Sequence, residues 1–181
     1  MSYIWHYDSP IGKITMAGSK DALTGLWFDG QKYFADRILK SSEEKKMPVF
    51  EETSKWLDIY FSGQEPDFIP SIDMEGISPF RKRVWEIMLT IPYGKTRSYG
   101  SIAKQISSET GKRASAQAVG GAVGHNSISI IIPCHRVVGE NGNLTGYAGG
   151  IDKKIALLNL ENADFEKLFI PPKKSFGKEQ A

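Results

Sequence analysis

The chain holds one cysteine, Cys134, set between Pro133 and His135 in the run IIIPCHRVV. A thiolate is a strong nucleophile and a thiol a poor one, and a free cysteine has a pKa near ~8.5. A nearby base is therefore needed, and His135 is adjacent. On a regular strand neighbouring side chains point to opposite faces. Pro133 has no backbone N–H and disfavours a regular strand, so the chain is expected to turn at Cys134. His135 can then reach the sulfur directly or across one water. A third group should orient the imidazole, usually a carboxylate. Downstream, Glu140, Asp152 and Glu161 are candidates, and spacing does not choose among them. The plainer reading of such a pair is an inert buried thiol beside a histidine bonded to backbone.

These residues need a scaffold, and 181 residues with 40% hydrophobic and 24% charged side chains can bury one. No apolar run approaches the ~20 residues of a membrane helix, and MSYIWHYDSP has no secretory pattern. A lone cysteine forms no internal disulfide and fits a reducing, cytoplasmic setting (nuclear in a eukaryotic source). One Cys and three His make no zinc cluster; no structural metal is expected. Net charge is +2, but residues 1–77 carry −5 and residues 78–181 carry +7. That asymmetry suggests a polyanion on the second half, though the tail PPKKSFGK supplies three of its cations.

Tyr3 to Phe28 reads as three strands broken at Ser9-Pro10 and Gly18-Ser19, an antiparallel meander. Gln31 to Lys40 reads as a short helix and SSEEKKMP as a polar loop. Pro48 opens a helix with Phe50, Thr53, Trp56, Leu57, Tyr60 and Phe61 on one face, ended by Gly63. A boundary is placed near Asp73 to Ile77, giving units at 1–76 and 77–168 and a flexible tail at 169–181. Ser78-Pro79 starts a helix, and Ser98 caps another from Tyr99 to about Ile106. IPYGKTRS is a turn rather than a phosphate loop, since Leu89 stands where the first glycine would be. Ala114 to Gly124 forms the second member of a helix-turn-helix. A β-rich run holds Cys134, and Asp152 caps a last helix to about Asn162.

The Ala114–Gly124 helix is nearly devoid of large side chains. Interior glycines cost roughly 0.5–1 kcal/mol each against alanine. Close approach of another backbone would compensate, either a nucleic acid phosphate chain or a neighbouring helix. Gln117 is its one base-reading side chain, so it is poorly equipped to read sequence.

PCHRVV, preceded by QAVGGAVGHN and followed by GYAGG, together with RSYGSIAKQI and KKIALLNLE, resembles the O6-alkylguanine-DNA alkyltransferase family from about Phe80 to Glu161. The resemblance implies an α/β, ribonuclease H-like N-terminal domain with a three-stranded antiparallel sheet. A mainly α C-terminal domain with a helix-turn-helix follows. It implies direct-reversal repair. By the same resemblance the protein is expected to bind double-stranded DNA in the minor groove without sequence preference, to flip the damaged base and to move the alkyl group of O6-alkylguanine, with O4-alkylthymine as a second candidate, onto cysteine. Each chain works once, as a monomer and without cofactor.

By position, the resemblance makes Cys134 the acceptor, His135 the base acting through water and Glu161 its orienting carboxylate. Asn126 is the hinge between the recognition helix and an active-site strand, and Tyr99 the donor to guanine N3. Tyr147 lines the alkyl pocket, Lys154 lies near the site, and carbonyls around Cys134 and Val137 read the guanine edge. Ala116, Gln117 and Ala118 face DNA. Gln117 stands where many members carry an arginine that fills the gap left by the flipped base. Arg136 is grouped with these contacts, although a structural duty is expected of it first. The rivals are a non-enzymatic binder of alkylated DNA and a thiol-sensing helix-turn-helix regulator. The acceptor cysteine argues against the first and the bare recognition helix against the second. A Cys-His hydrolase would need an oxyanion hole for which the sequence offers no sign.

Overall fold

The computed structural model describes residues 1–32 and 36–172. Three strands, β1 (Tyr3–Ser9), β2 (Gly12–Gly18) and β3 (Leu23–Phe28), form the expected meander with β2 in the middle. A fourth strand, β4 (Glu43–Glu44), pairs parallel with Tyr3 and Ile4, so the sheet order is β3-β2-β1-β4. The three-stranded expectation is corrected here. Glu43 N–H donates to Ser2 O at 3.2 Å and Lys45 N–H to Ile4 O at 3.1 Å. A short charged segment suits an exposed sheet edge, which is why it reads as a loop in sequence.

The helix expected over Gln31–Lys40 begins only at Asp36 (α1, Asp36–Ser41), and residues 33–35 of that expectation lie outside the described residues. Gln31 instead folds back, its Oε1 accepting from Phe28 N–H at 2.9 Å. The next helix, α2 (Pro48–Phe61), buries Val49, Phe50, Thr53, Trp56, Leu57 and Tyr60 against the sheet.

In the second domain, Ser78 caps α3 (Pro79–Leu89) by accepting from Arg81 N–H. The short β5 (Arg97–Ser98) leads into α4 (Tyr99–Thr110), which Ser98 caps and Gly111 ends at φ 67°. That helix runs one turn past Ile106. The next, α5 (Ala116–Gly124), starts two residues later than expected. Ser115 takes the N-cap position and accepts from Ala118 N–H, while Ala114 N–H is bound by Ser107 Oγ. The helix α6 (Ile151–Leu160) is capped by Gly150 at φ 96°, not by Asp152, which falls in its first turn.

The run before Cys134 is buried but forms no strand, which corrects the β-rich reading. Ile131 N–H donates to Ser129 O, Ile132 N–H to Ile128 O and Cys134 N–H to Ile132 O. Ile130 sits at φ 69°, a conformation that costs a β-branched residue about 1 kcal/mol or more. Only Val137–Val138, β6, extend, pairing with β5.

The two domains share one hydrophobic cluster, from Ile14, Phe28, Phe50 and Tyr60 through Trp85, Val119, Ile132 and Leu157. They also share a sheet edge. Leu26 N–H donates to Ser127 O at 2.7 Å and Ser129 N–H to Leu26 O at 2.9 Å. The segment leading to Cys134 is therefore clamped onto the first domain. Phe169 pairs with the Gly142–Leu144 segment, so the chain is tied down past residue 168; residues 173–181 of the expected tail lie outside the described residues. Among the described residues, no helix is long and apolar enough to cross a membrane.

Candidate active site

Pro133 ends the buried turn, and Cys134–Arg136 form one turn of 3-10 helix. The turn that the proline demands is thus present, and it places Cys134 and His135 on one inward-facing bend. Cys134 is 5% exposed and is a free thiol. Burial pushes its pKa up, while the Asn126 amide, the Lys154 ammonium and two backbone N–H groups favour the thiolate.

His135 is fully buried, and its Nε2 lies 2.6 Å from Glu161 Oε1. Glu161 stands at the C-cap of α6. Burial alone would raise its carboxyl, but His135 and the Arg136 guanidinium hold it well below the usual carboxylate range. An ionised carboxylate only accepts. The shared proton therefore sits on His135 Nε2, and the lone pair is on Nδ1. Among the described residues Nδ1 has no hydrogen-bond partner. Burial lowers the imidazole's proton affinity against the pull of Glu161, which keeps it neutral and able to act as a base. Of the three carboxylates left open by spacing, Glu161 is the one that meets His135. Asp152 is exposed, and Glu140 packs against Gly100 at the start of α4.

Arg136 turns inward. Its Nε and NH2 donate to the two Glu161 oxygens at 2.9 Å each, and NH1 donates to Ile91 O at 2.7 Å. The guanidinium fork is spent on a buried carboxylate, the structural duty expected of it first. Lys154 is fully buried, donating to Val137 O at 2.6 Å and Thr145 O at 3.1 Å. Burial brings its pKa down to about 8, with Cys134 drawing it back up. One carbonyl expected to read a substrate edge, that of Val137, therefore already accepts from a cation. Asn126 knits the turn, its Nδ2 donating to Ile132 O at 2.8 Å and its Oδ1 accepting from Ile128 N–H at 3.0 Å. Asn126 lies between α5 and Cys134, and the segment that follows it is a turn and not a strand.

A cleft of about 490 Å³ is lined by Tyr99, Gly120, Gly121, Gly124, Thr145 and Tyr147 among others. The Tyr99 hydroxyl faces the Thr145 and Gly146 carbonyls at 3.4 and 3.5 Å, and burial pushes its pKa up to about 12. Tyr147 is in the same wall; its hydroxyl is buried with no partner among the described residues. On α5, Val119, Ala122 and Val123 face the core, and Trp85 Nε1–H donates to Ala122 O. A Cβ added at Gly121 or Gly124 would meet nothing within 4 Å. These glycines therefore keep the cleft side of the helix bare and are not there for helix packing. Ala116, Gln117 and Ala118 are all exposed on the first turn of α5.

Two groups escape sequence reasoning. Tyr60, on α2 of the first domain, donates its hydroxyl to Glu161 Oε1 at 2.7 Å. Gly94 N–H donates to Glu161 Oε2 at 3.1 Å. In sequence Tyr60 belongs to an apolar stripe and Gly94 to a turn; neither spacing points at a carboxylate far along the chain.

Family models for the ribonuclease-like domain and the DNA binding domain of 6-O-methylguanine DNA methyltransferase match residues 3–73 and 79–163. A methylated-DNA–protein-cysteine methyltransferase of Mycobacterium tuberculosis is 47% identical over 161 residues, covering 87% of this chain and 93% of the relative. One from Methanosarcina acetivorans is 42% identical over 158 residues, covering 87% and 96%. The crystal structure of Mycobacterium tuberculosis OGT in complex with DNA superposes with a TM-score of 0.76 at 43% identity, covering 92% of this chain and 94% of that one.

Proposed function

The chain belongs to the 6-O-methylguanine DNA methyltransferase family, and on that premise we propose how its residues divide the work. The activity is direct reversal of DNA damage: an alkyl group leaves the O6 oxygen of guanine in double-stranded DNA and is taken up by a protein cysteine. Cys134 is the chain's one cysteine and so its acceptor. The observation that carries the reading is the buried thiol beside His135, whose Nε2 is held by Glu161 and whose Nδ1 is left to receive a proton.

The thiol proton passes to His135 Nδ1, directly or across one water. The sulfur lone pair attacks the alkyl carbon, the carbon–O6 bond breaks, and its electrons remain on guanine. Tyr99 then offers a hydrogen bond to the ring nitrogen that gains charge. An atom inside the base stack cannot be attacked in line, so the base is everted into the cleft. The bare face of α5 suits close, sequence-independent approach in the minor groove. Tyr147 walls the space for the alkyl group; O4-alkylthymine is the second substrate to try. One chain acts alone on DNA in the cytoplasm, or the nucleus of a eukaryotic source, where a free thiol persists.

The thioether product has no route back to thiol, so each chain acts once. Mixed with duplex DNA carrying O6-methylguanine, the protein should give a burst equal to its own concentration. The Cys134 peptide should gain the mass of one CH2. Product formation beyond that burst would contradict single use, and an unmodified Cys134 peptide would contradict the acceptor. For Gln117→Ala, loss of the amide that steadies the orphaned cytosine should weaken DNA binding and slow transfer by about 1 kcal/mol, roughly fivefold. Unchanged affinity and rate would remove Gln117 from the interface.

A further inference from the structure

We infer that Tyr60 is a positioning residue for alkyl transfer: its hydroxyl, delivered by the first domain, fixes Glu161 and through it the His135 tautomer that leaves Nδ1 as the base. This rests on the function proposed above and gives the first domain a part in the chemistry.

The geometry is specific. Tyr60 Oη lies 2.7 Å from Glu161 Oε1, the same oxygen that His135 Nε2 approaches at 2.6 Å, and 3.4 Å from Nε2 itself. Tyr60 is fully buried. Its ring is stacked on Trp56 at 5.2 Å and set edge-on to Phe61, Tyr93 and His135. Burial, and then the Glu161 charge, push its pKa well above the usual value, so the hydroxyl is always a donor. A donor cannot point two ways: the hydrogen goes to the carboxylate, and Nε2 must bring its own. Tyr60 therefore steadies the ionised carboxylate whose acceptor oxygen demands the Nε2–H tautomer, and cannot itself supply the proton between them.

The groups around His135 are Glu161 at the end of α6, Lys154 within α6, Arg136 and Cys134 on its own turn, and Tyr60 from α2. Tyr60 and Arg136 spread the Glu161 charge over several donors. Without the hydroxyl more of that charge faces the imidazole, which becomes more basic and less firmly oriented.

Tyr60→Phe keeps the ring stack and removes only the hydroxyl. Single-turnover transfer from O6-methylguanine duplex should still end at one alkyl group per chain. Its rate should fall about tenfold, as for loss of a hydrogen bond to a charged group, and the acidic limb of its pH profile should move to higher pH. Phe61→Leu loosens the same aromatic cluster without touching the hydroxyl, and should lower the melting temperature while leaving that limb in place. In protein labelled with 15N-histidine and free of DNA, the buried imidazole should be the Nε2–H form in wild type and in Tyr60→Phe, and the variant's imidazole should protonate at higher pH than wild type's. The wild-type spectrum stands even if the variant folds poorly; an Nδ1–H imidazole there would overturn the inference. So would a Tyr60→Phe profile identical to wild type, or a Phe61→Leu profile shifted as far. Failure of wild type to alkylate Cys134 would strike the proposed function and leave the tautomer result readable.

Discussion

Cys134→Ser should fold, bind DNA and repair nothing. The exchange replaces one small side chain by a smaller one at a site that is 5% exposed, where the backbone bonds, Cys134 N–H to Ile132 O and Val137 N–H to Cys134 O, do not involve the sulfur. A stability change within about 1 kcal/mol is expected. The chemistry fares differently. Sulfur is soft, and Asn126 and Lys154 offset part of what burial costs its anion. A serine hydroxyl holds its proton far more tightly, and a neutral imidazole such as His135 cannot take it without further electrostatic help, so transfer should drop by at least about 10³-fold. Binding to O6-methylguanine duplex measured by fluorescence anisotropy should stay within a factor of a few of wild type, because α5 and the cleft are untouched. Measurable repair by the serine variant would remove Cys134 from the reaction. Lost binding would mean the thiol has a structural part in the cleft.

The turn at Cys134 was readable because its cause is local: Pro133 cannot serve a ladder, and the chain bends there. The helix starts at Pro79, Tyr99 and Ala116 were readable, the last within two residues, because Ser78, Ser98 and Ser115 cap them through bonds spanning three residues. What stayed hidden depends on distant partners. The isoleucines before Pro133 look like a strand because burial and β-branching are strand signals. They are buried by the first domain's sheet edge while their own hydrogen bonds close turns. Glu43–Glu44 pairs only because β1 leaves an edge open beside it. Spacing could not choose Glu161 over Glu140 or Asp152, and the resemblance could not supply Tyr60, whose hydroxyl gains meaning only when α2 packs against the end of α6. Sequence thus exposes the reacting atoms, and the tertiary fold the groups that orient them.

Glu161→Ala should be the most damaging exchange for stability, and it should silence repair as well. The side chain is fully buried and accepts from five donors: Tyr60 Oη, Gly94 N–H, His135 Nε2 and two nitrogens of Arg136. Removing it strands a guanidinium only 11% exposed together with three neutral donors. Breaking one side of a buried charge pair costs about 3–5 kcal/mol, a large share of a typical domain's stability. The pH dependence has a definite sign. The folded Glu161 carboxyl is more acidic than the unfolded one. Its contribution is therefore present above the unfolded value of ~4.3 and drains away as pH falls below it. The His135 imidazole is also less basic when folded, so wild type already weakens as pH drops through ~6.5. Urea denaturation should show the gap between wild type and Glu161→Ala wide at neutral pH and narrowing progressively below pH ~4, as acid favours the unfolded chain with its protonated carboxyl. Glu161→Gln, which keeps the shape and one acceptor, should recover part of the stability. It should recover little of the transfer rate, because a neutral amide cannot stabilise the imidazolium formed when the thiol gives up its proton. A neutral-pH cost below about 1 kcal/mol for Glu161→Ala would place the pair in the class of surface bridges. The ordered relay from Tyr60 through Glu161 to His135 would then lose its basis.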